Sequence, residues 1–166
     1  MTDQPYASTP AGAAAAPKDV QTAFRLWIAD IVLGVVGSLL SLLIFDDLVA
    51  MAELPPGLTP EQAALAATVG AIFAAVITLV FLGLGLLFAF KMRAGRNWAR
   101  ITLTVLGAIA VLFSLLSFGN SLVVAAIGLI GILSVVISVI QILLIVAAIF
   151  FMFRPAAAQY FAAPRR

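Results

Sequence analysis

At 166 residues the chain has the length of one domain, and its composition decides which solvent that domain meets. Hydrophobic residues make up 64% and charged residues 10%, with mean hydropathy +1.23, against a soluble average of roughly 45–50% apolar and about 25% charged. No water-soluble interior holds that much apolar surface, so lipid must solvate part of it, and a net charge of +2 with few, clustered cations argues against nucleic-acid binding. Cys and His are both absent, which removes disulfides, thiolate nucleophiles and the commonest metal ligand and general base.

Residues 1–22 open with an Ala-, Pro-, Thr- and Ser-rich stretch that lacks apolar periodicity. The expectation is a disordered cytoplasmic tail. It has no basic region followed by an apolar core, so the first apolar segment is expected to stay in the protein as an anchor.

Four spans are predicted within residues 23–153, at about 26–45, 66–90, 99–118 and 132–153. A hydrocarbon layer about 30 Å thick needs roughly 20 helical residues. Span one, Leu26 to Phe45, meets that requirement, with Arg25 and Trp27 at its start as interfacial anchors. Asp46 to Pro60 reads as a loop, because Pro55 and Pro56 block a continuous helix and Gly57 adds turn freedom. Thr59, Pro60, Glu61 and Gln62 then form a helix start: a capping hydroxyl, a proline at the first helical position, an acid at the positive end of the dipole and a Gln completing a capping box.

Span two is longer than a crossing needs and is expected to tilt or to begin above the membrane. Lys91 to Arg100 follows, with four of the nine basic residues; Gly95 interrupts the helix and Asn97 is the expected cap of span three. Asn120 and Ser121 mark an outer turn. Leu122 to Phe153 is too long for one untilted span and too short for two. It is read as a short outer helix or partly re-entrant segment over 122–131, then span four, ended by Arg154-Pro155 because the residue before a proline avoids helical geometry. Residues 154–166 are expected to be a cytoplasmic tail that forms one interfacial turn, with Tyr160 and Phe161 at the headgroups.

Charge sorts by side. Lys18 and Arg25 precede span one; Lys91, Arg93, Arg96 and Arg100 lie between spans two and three; Arg154, Arg165 and Arg166 follow span four. The opposite connections carry Asp46, Asp47, Glu53 and Glu61 and no cation. The positive-inside bias then places both ends in the cytoplasm, in a four-transmembrane-helix, all-α bundle of the plasma membrane. Lys91, Arg93, Arg96, Arg100 and Trp98 are the expected headgroup and topology determinants.

Asp30 is the one acid inside an apolar run. Asp30, Gly34, Gly37 or Ser38, and Ser41 recur at three- and four-residue steps and share a helical face, so this face should meet another helix closely. A charge at that depth costs a few kcal/mol unless paired. Arg100, on a face with Thr104, Gly107 and Ser114, is the expected partner in a structural ion pair, and Arg96 the second candidate. Span two has a small-residue stripe of Ala63, Ala67, Gly70 or Ala71, Ala74 and Thr78. On span four Ser134, Ser138, Gln141 and Ala148 align, and Gln141, near mid-membrane, should bond across helices.

No catalytic, cofactor-binding or metal-binding set emerges. Gly83-Leu84-Gly85 lies inside a span and makes no phosphate loop; Asp46, Asp47 and Glu53 read as a solvated acidic loop; and the span serines have no base to activate them. The basic loop Ala94-Gly95-Arg96-Asn97-Trp98-Ala99-Arg100, the Arg154-Pro155 and Tyr160-Phe161 pairs, the Ala/Pro-rich leader and the Phe24–Trp27 approach to span one resemble a group of small actinobacterial four-span membrane proteins. That resemblance implies the topology and a plasma-membrane home and transfers no active site. The function expected is a non-enzymatic scaffold or accessory subunit, needing no cofactor and contacting lipid and other membrane proteins; the alternative is a small transporter or channel formed by a homo-oligomer.

Overall fold

Every element in the structure, a computed structural model that describes residues 16–51, 57 and 59–162, is helical. Expectations for residues 1–15, Glu53, the Pro55-Pro56 break, Arg165 and Arg166 fall outside the described residues. The elements are α1 (Lys18–Leu43), α2 (Phe45–Met51), α3 (Pro60–Arg93), α4 (Asn97–Leu116), a 3-10 turn (Ser117–Asn120), α5 (Ser121–Ala126), α6 (Leu129–Met152) and α7 (Pro155–Ala162). Four segments are long and apolar enough to cross a membrane: Lys18–Leu43, Pro60–Arg93, Asn97–Ala126 and Leu129–Met152. The 34 residues of α3 span about 51 Å, so its excess over the hydrocarbon must be taken up by tilt or by a protruding end.

The start of α3 forms as its residue types dictate. Thr59 Oγ1 accepts from the Gln62 backbone N–H at 3.3 Å, the Gln62 side chain accepts from the Thr59 N–H at 3.0 Å, and Pro60 takes the first helical position. Gly95, with φ 79°, makes the tight turn into α4.

Five local expectations are corrected. Helix α1 begins at Lys18 inside the expected tail, because Val20 and Ala23 are fully buried and Asp19 is bonded to Arg154. Residues Phe45–Met51 are helical rather than loop. The residue capping α4 is Arg96, with no side-chain bond, and Asn97 is the first helical residue. The outer turn falls at Gly128, not at Asn120-Ser121: the chain passes from α4 through the 3-10 turn into α5, so residues 121–126 prolong span three as a short helix. Gly128 sits at φ 107° and ψ −155°, a conformation essentially closed to residues with a Cβ. Gly131 presses against the Val124 backbone so closely that a Cβ there would collide with its carbonyl. Last, residues 155–162 are a helix seated on the bundle rather than a tail, with Ala157 and Phe161 buried.

Helix α1 packs on α3 and, most extensively, on α6; α4 packs on α3 and α6. The ring order α1–α3–α4–α6 makes sequential spans neighbours, as short connections require, and puts α1 and α4 on a diagonal. Apart from the buried Ile44 and the Gly131–Val124 contact, close packing is found at the end holding the α3–α4 turn and α7. There Val20, Ala23, Trp27, Ala89, Met92, Ala99, Leu103, Ala148, Met152, Ala157 and Phe161 form one buried cluster. Alanines and Gly107 at the contacts let the helices approach, and Trp27, Met92 and Met152 fill the centre. Towards the opposite end the helices open: α2 and α5 bury nothing, and α3 buries only Ala89 and Met92, both near its last turn.

Candidate functional site

The basic end is laced by side chains from five helices. Arg100 stacks its guanidinium over Phe153 at 4.1 Å and Phe161 at 5.1 Å, which draws α4 to the end of α6 and to the last turn of α7. Arg93 lies over Phe24 at 4.9 Å, Arg154 bonds Asp19 at 3.1 Å, and Tyr160 donates its hydroxyl to the Arg93 carbonyl at 3.1 Å. Lys91, Arg93, Arg96 and Trp98 are exposed there, with Trp98 edge-on to Phe88 at 5.7 Å. A row of exposed cations beside half-buried rings suits anionic headgroups. Trp27 is corrected: it is no interfacial anchor. Only 6% exposed, it reaches across the bundle to Gly107 and donates Nε1–H to the Met152 sulfur at 3.3 Å.

The expected Asp30–Arg100 pair is not formed. The ion pair among the described residues is Arg154–Asp19. The reason is positional: α1 and α4 face each other across a diagonal occupied by Trp27, and Arg100 turns towards the rings of Phe153 and Phe161. Asp30 Oδ1 and Arg100 Nε are each buried without a hydrogen-bond partner.

Gln141 bonds across helices as its position predicts. Its amide donates to the Asp30 backbone carbonyl at 3.4 Å, joining α6 to α1. The small stripe of α1 explains the fit: a Cβ on Gly34 would meet the Gln141 amide at 3.4 Å, and one on Gly37 would meet Ile137 at 3.7 Å. On α3 the stripe is partly matched: Ala63, Ala67 and Ala71 are half-buried, Ala71, Ala74 and Thr78 line a cleft against α1, and nothing lies within 4 Å of a Cβ built on Gly70.

A cleft of about 460 Å³ between α1 and α3 is lined by Ser38, Ser41, Ala71, Ala74 and Thr78 among apolar side chains, and two further clefts enter the opened part of the bundle. One, of about 360 Å³, lies among α1, α3, α4 and α6; Trp27, Asp30, Thr78, Phe81, Leu103 and Ala110 are among its walls. The other, of about 430 Å³, is lined by Ser41, Ser114, Ser117, Asn120, Ser121, Ser134 and Ser138 from α1, α4, the 3-10 turn, α5 and α6. The hydroxyls of Ser41, Ser114, Ser134 and Ser138 come from stripes visible in the sequence, but their convergence with Ser117 and Ser121 depends on the turn at Gly128.

These elements define a multi-pass α-helical membrane protein whose polar groups gather at one rim and in clefts between the helices. Comparison with protein-family models, with curated proteins and with solved structures gives no match, so its function must be argued from its own residues.

Proposed function

We propose that the chain is a non-enzymatic scaffold or accessory subunit of the plasma membrane that holds other membrane proteins by helix packing. The observation that carries this reading is the state of α3. It is the longest helix among the described residues, it carries the Ala63, Ala67, Gly70 or Ala71, Ala74, Thr78 stripe, and no residue before Ala89 is fully buried, with Gly70 and Ala74 exposed. Lipid can cover such a face, but small residues gain most when a second helix approaches closely, because packing rather than hydrophobicity drives association in lipid. The basic rim, with both described ends of the chain, faces the cytoplasm in this reading, and the AGRNWAR loop fits the four-span actinobacterial group it resembles.

Mild-detergent purification of the full chain from its native membrane tests the proposal. Specific co-purifying membrane proteins, lost when Gly70 and Ala74 are changed to Leu, are expected; a chain isolated alone from native membranes overturns it. A membrane-impermeant reagent should fail to modify a cysteine placed at Arg96 in whole cells, and modification there reverses the orientation. The serine-lined cleft favours the second reading, a transporter or channel made by an oligomer. Solute or ion flux through a purified homo-oligomer in liposomes would support it over the first.

A further inference from the structure

We propose that the cleft at Asp30 binds a lipophilic organic monocation. Asp30 enters its wall from α1, and its Oδ1 is buried with no hydrogen-bond partner. No basic side chain lines the cleft: Arg100, the nearest cation along α4, is turned onto Phe153 and Phe161, outside the wall. The Gln141 amide reaches Asp30 from α6, but no cation among the described residues does. A carboxylate without a counter-charge within a membrane is held at a cost of a few kcal/mol, and a cation in the same cleft removes that cost.

The rest of the lining selects the kind of cation. A hard metal ion takes six or more oxygen ligands, whereas this wall offers the Asp30 carboxylate and the Thr78 hydroxyl. What surrounds them is hydrocarbon and aromatic: the buried Trp27 ring, Phe81 at the exposed side, and Leu103 and Ala110 of α4. Aromatic faces attract a diffuse positive charge, and aliphatic walls take the apolar substituents around it. The volume of about 360 Å³ is within the range of small-molecule sites. One carboxylate facing apolar walls therefore fits a cation whose charge is shielded by apolar groups, with a charge of one. The site is independent of the scaffold reading: it shares Thr78 with the α3 stripe but uses the interior of the bundle, whereas that reading turns on the exposed Gly70 and Ala74.

The test uses the full chain purified in detergent, with Trp98→Phe so that Trp27 alone reports. Tetraphenylphosphonium is titrated by Trp27 fluorescence and by calorimetry, with an uncharged tetraphenyl isostere as the control. Saturable binding of the cation, weakened about tenfold or more by Asp30→Asn and retained by Asp30→Glu, is the expected result. Ala110→Leu, which fills the cleft without altering charge, should weaken binding comparably, and it decides the matter if Asp30→Asn is not monodisperse. Absence of saturable binding, equal binding by Asp30→Asn, or equal binding of the uncharged isostere overturns the proposal; the last outcome makes the cleft an acyl-chain groove. Flux measurements play no part, so a negative result here leaves the scaffold reading standing and a positive one does not require transport.

Discussion

Adding one methyl group at two glycines should have opposite effects. At Gly107 a Cβ would sit 2.8 Å from Trp27 Cη2, 2.9 Å from Ile145 Cγ2 and 3.4 Å from Ile149 Cδ1, where carbon atoms rest at about 3.5–4.0 Å. The two nearest atoms cannot easily retreat. The Trp27 ring is buried and tied through Nε1 to Met152, and Ile145 Cγ2 branches from the Cβ, where a helical β-branched residue has one strongly preferred χ1 rotamer. Overpacking of this kind costs about 1–3 kcal/mol. Replacing a helical glycine by alanine returns about 0.8–1.0 kcal/mol. Gly107→Ala should therefore destabilise the bundle by about 1 kcal/mol, with the sum ranging from near zero to about 2. At Gly70 no atom lies within 4 Å, only the propensity term remains, and Gly70→Ala should stabilise by up to about 1 kcal/mol. Unfolding of the purified chain by sodium dodecyl sulfate in mixed micelles, read by Trp27 fluorescence in a Trp98→Phe background, gives both values. If Gly107→Ala proves as stable as Gly70→Ala, the crossing of Trp27 onto α4 is not where the structure puts it.

Other substitutions test the remaining features in the same assay. Gly128→Ala should cost about 1–3 kcal/mol, because φ 107° with ψ −155° is a glycine conformation; unchanged stability would remove the turn from this position. Gln141→Leu loses the bond from α6 to the Asp30 carbonyl and should cost about 0.6 and at most about 1.7 kcal/mol, so a gain in stability would count against that contact. Arg100→Gln should cost about 0.5–2 kcal/mol by emptying the space over Phe153 and Phe161. Its effect should add to that of Asp30→Asn within about 0.5 kcal/mol, and a larger coupling would re-establish the ion pair that the structure does not form.

Much of the architecture was legible in hydropathy and charge, as α3 and α1 show. The capping box at Thr59 is local chemistry between residues three apart, so it reads from the sequence and forms as read. The stripe Asp30, Gly34, Gly37 correctly marks the face of α1 that receives α6, because helical periodicity is a property of one segment. Trp27 and Arg100 were misread for a common reason. Amphipathic side chains near a helix end suit both the lipid interface and a buried contact, and only the neighbouring helices decide between them. The rings that hold Arg100 lie on α6–α7 residues 53 and 61 positions away along the chain, a separation that no local pattern reports.

From its residues alone this chain was bound to form four helices long and apolar enough to cross a membrane and to place its cations in the segments that flank them, because apolar run length and charge placement act on each segment separately. Which diagonal Trp27 fills, which rings take Arg100, where the outer turn falls and which acid is left facing a cleft were decided by the tertiary structure. Those outcomes depend on ring order and on how close glycines and alanines let particular helices come, and contact between distant segments is settled only when all four are packed together.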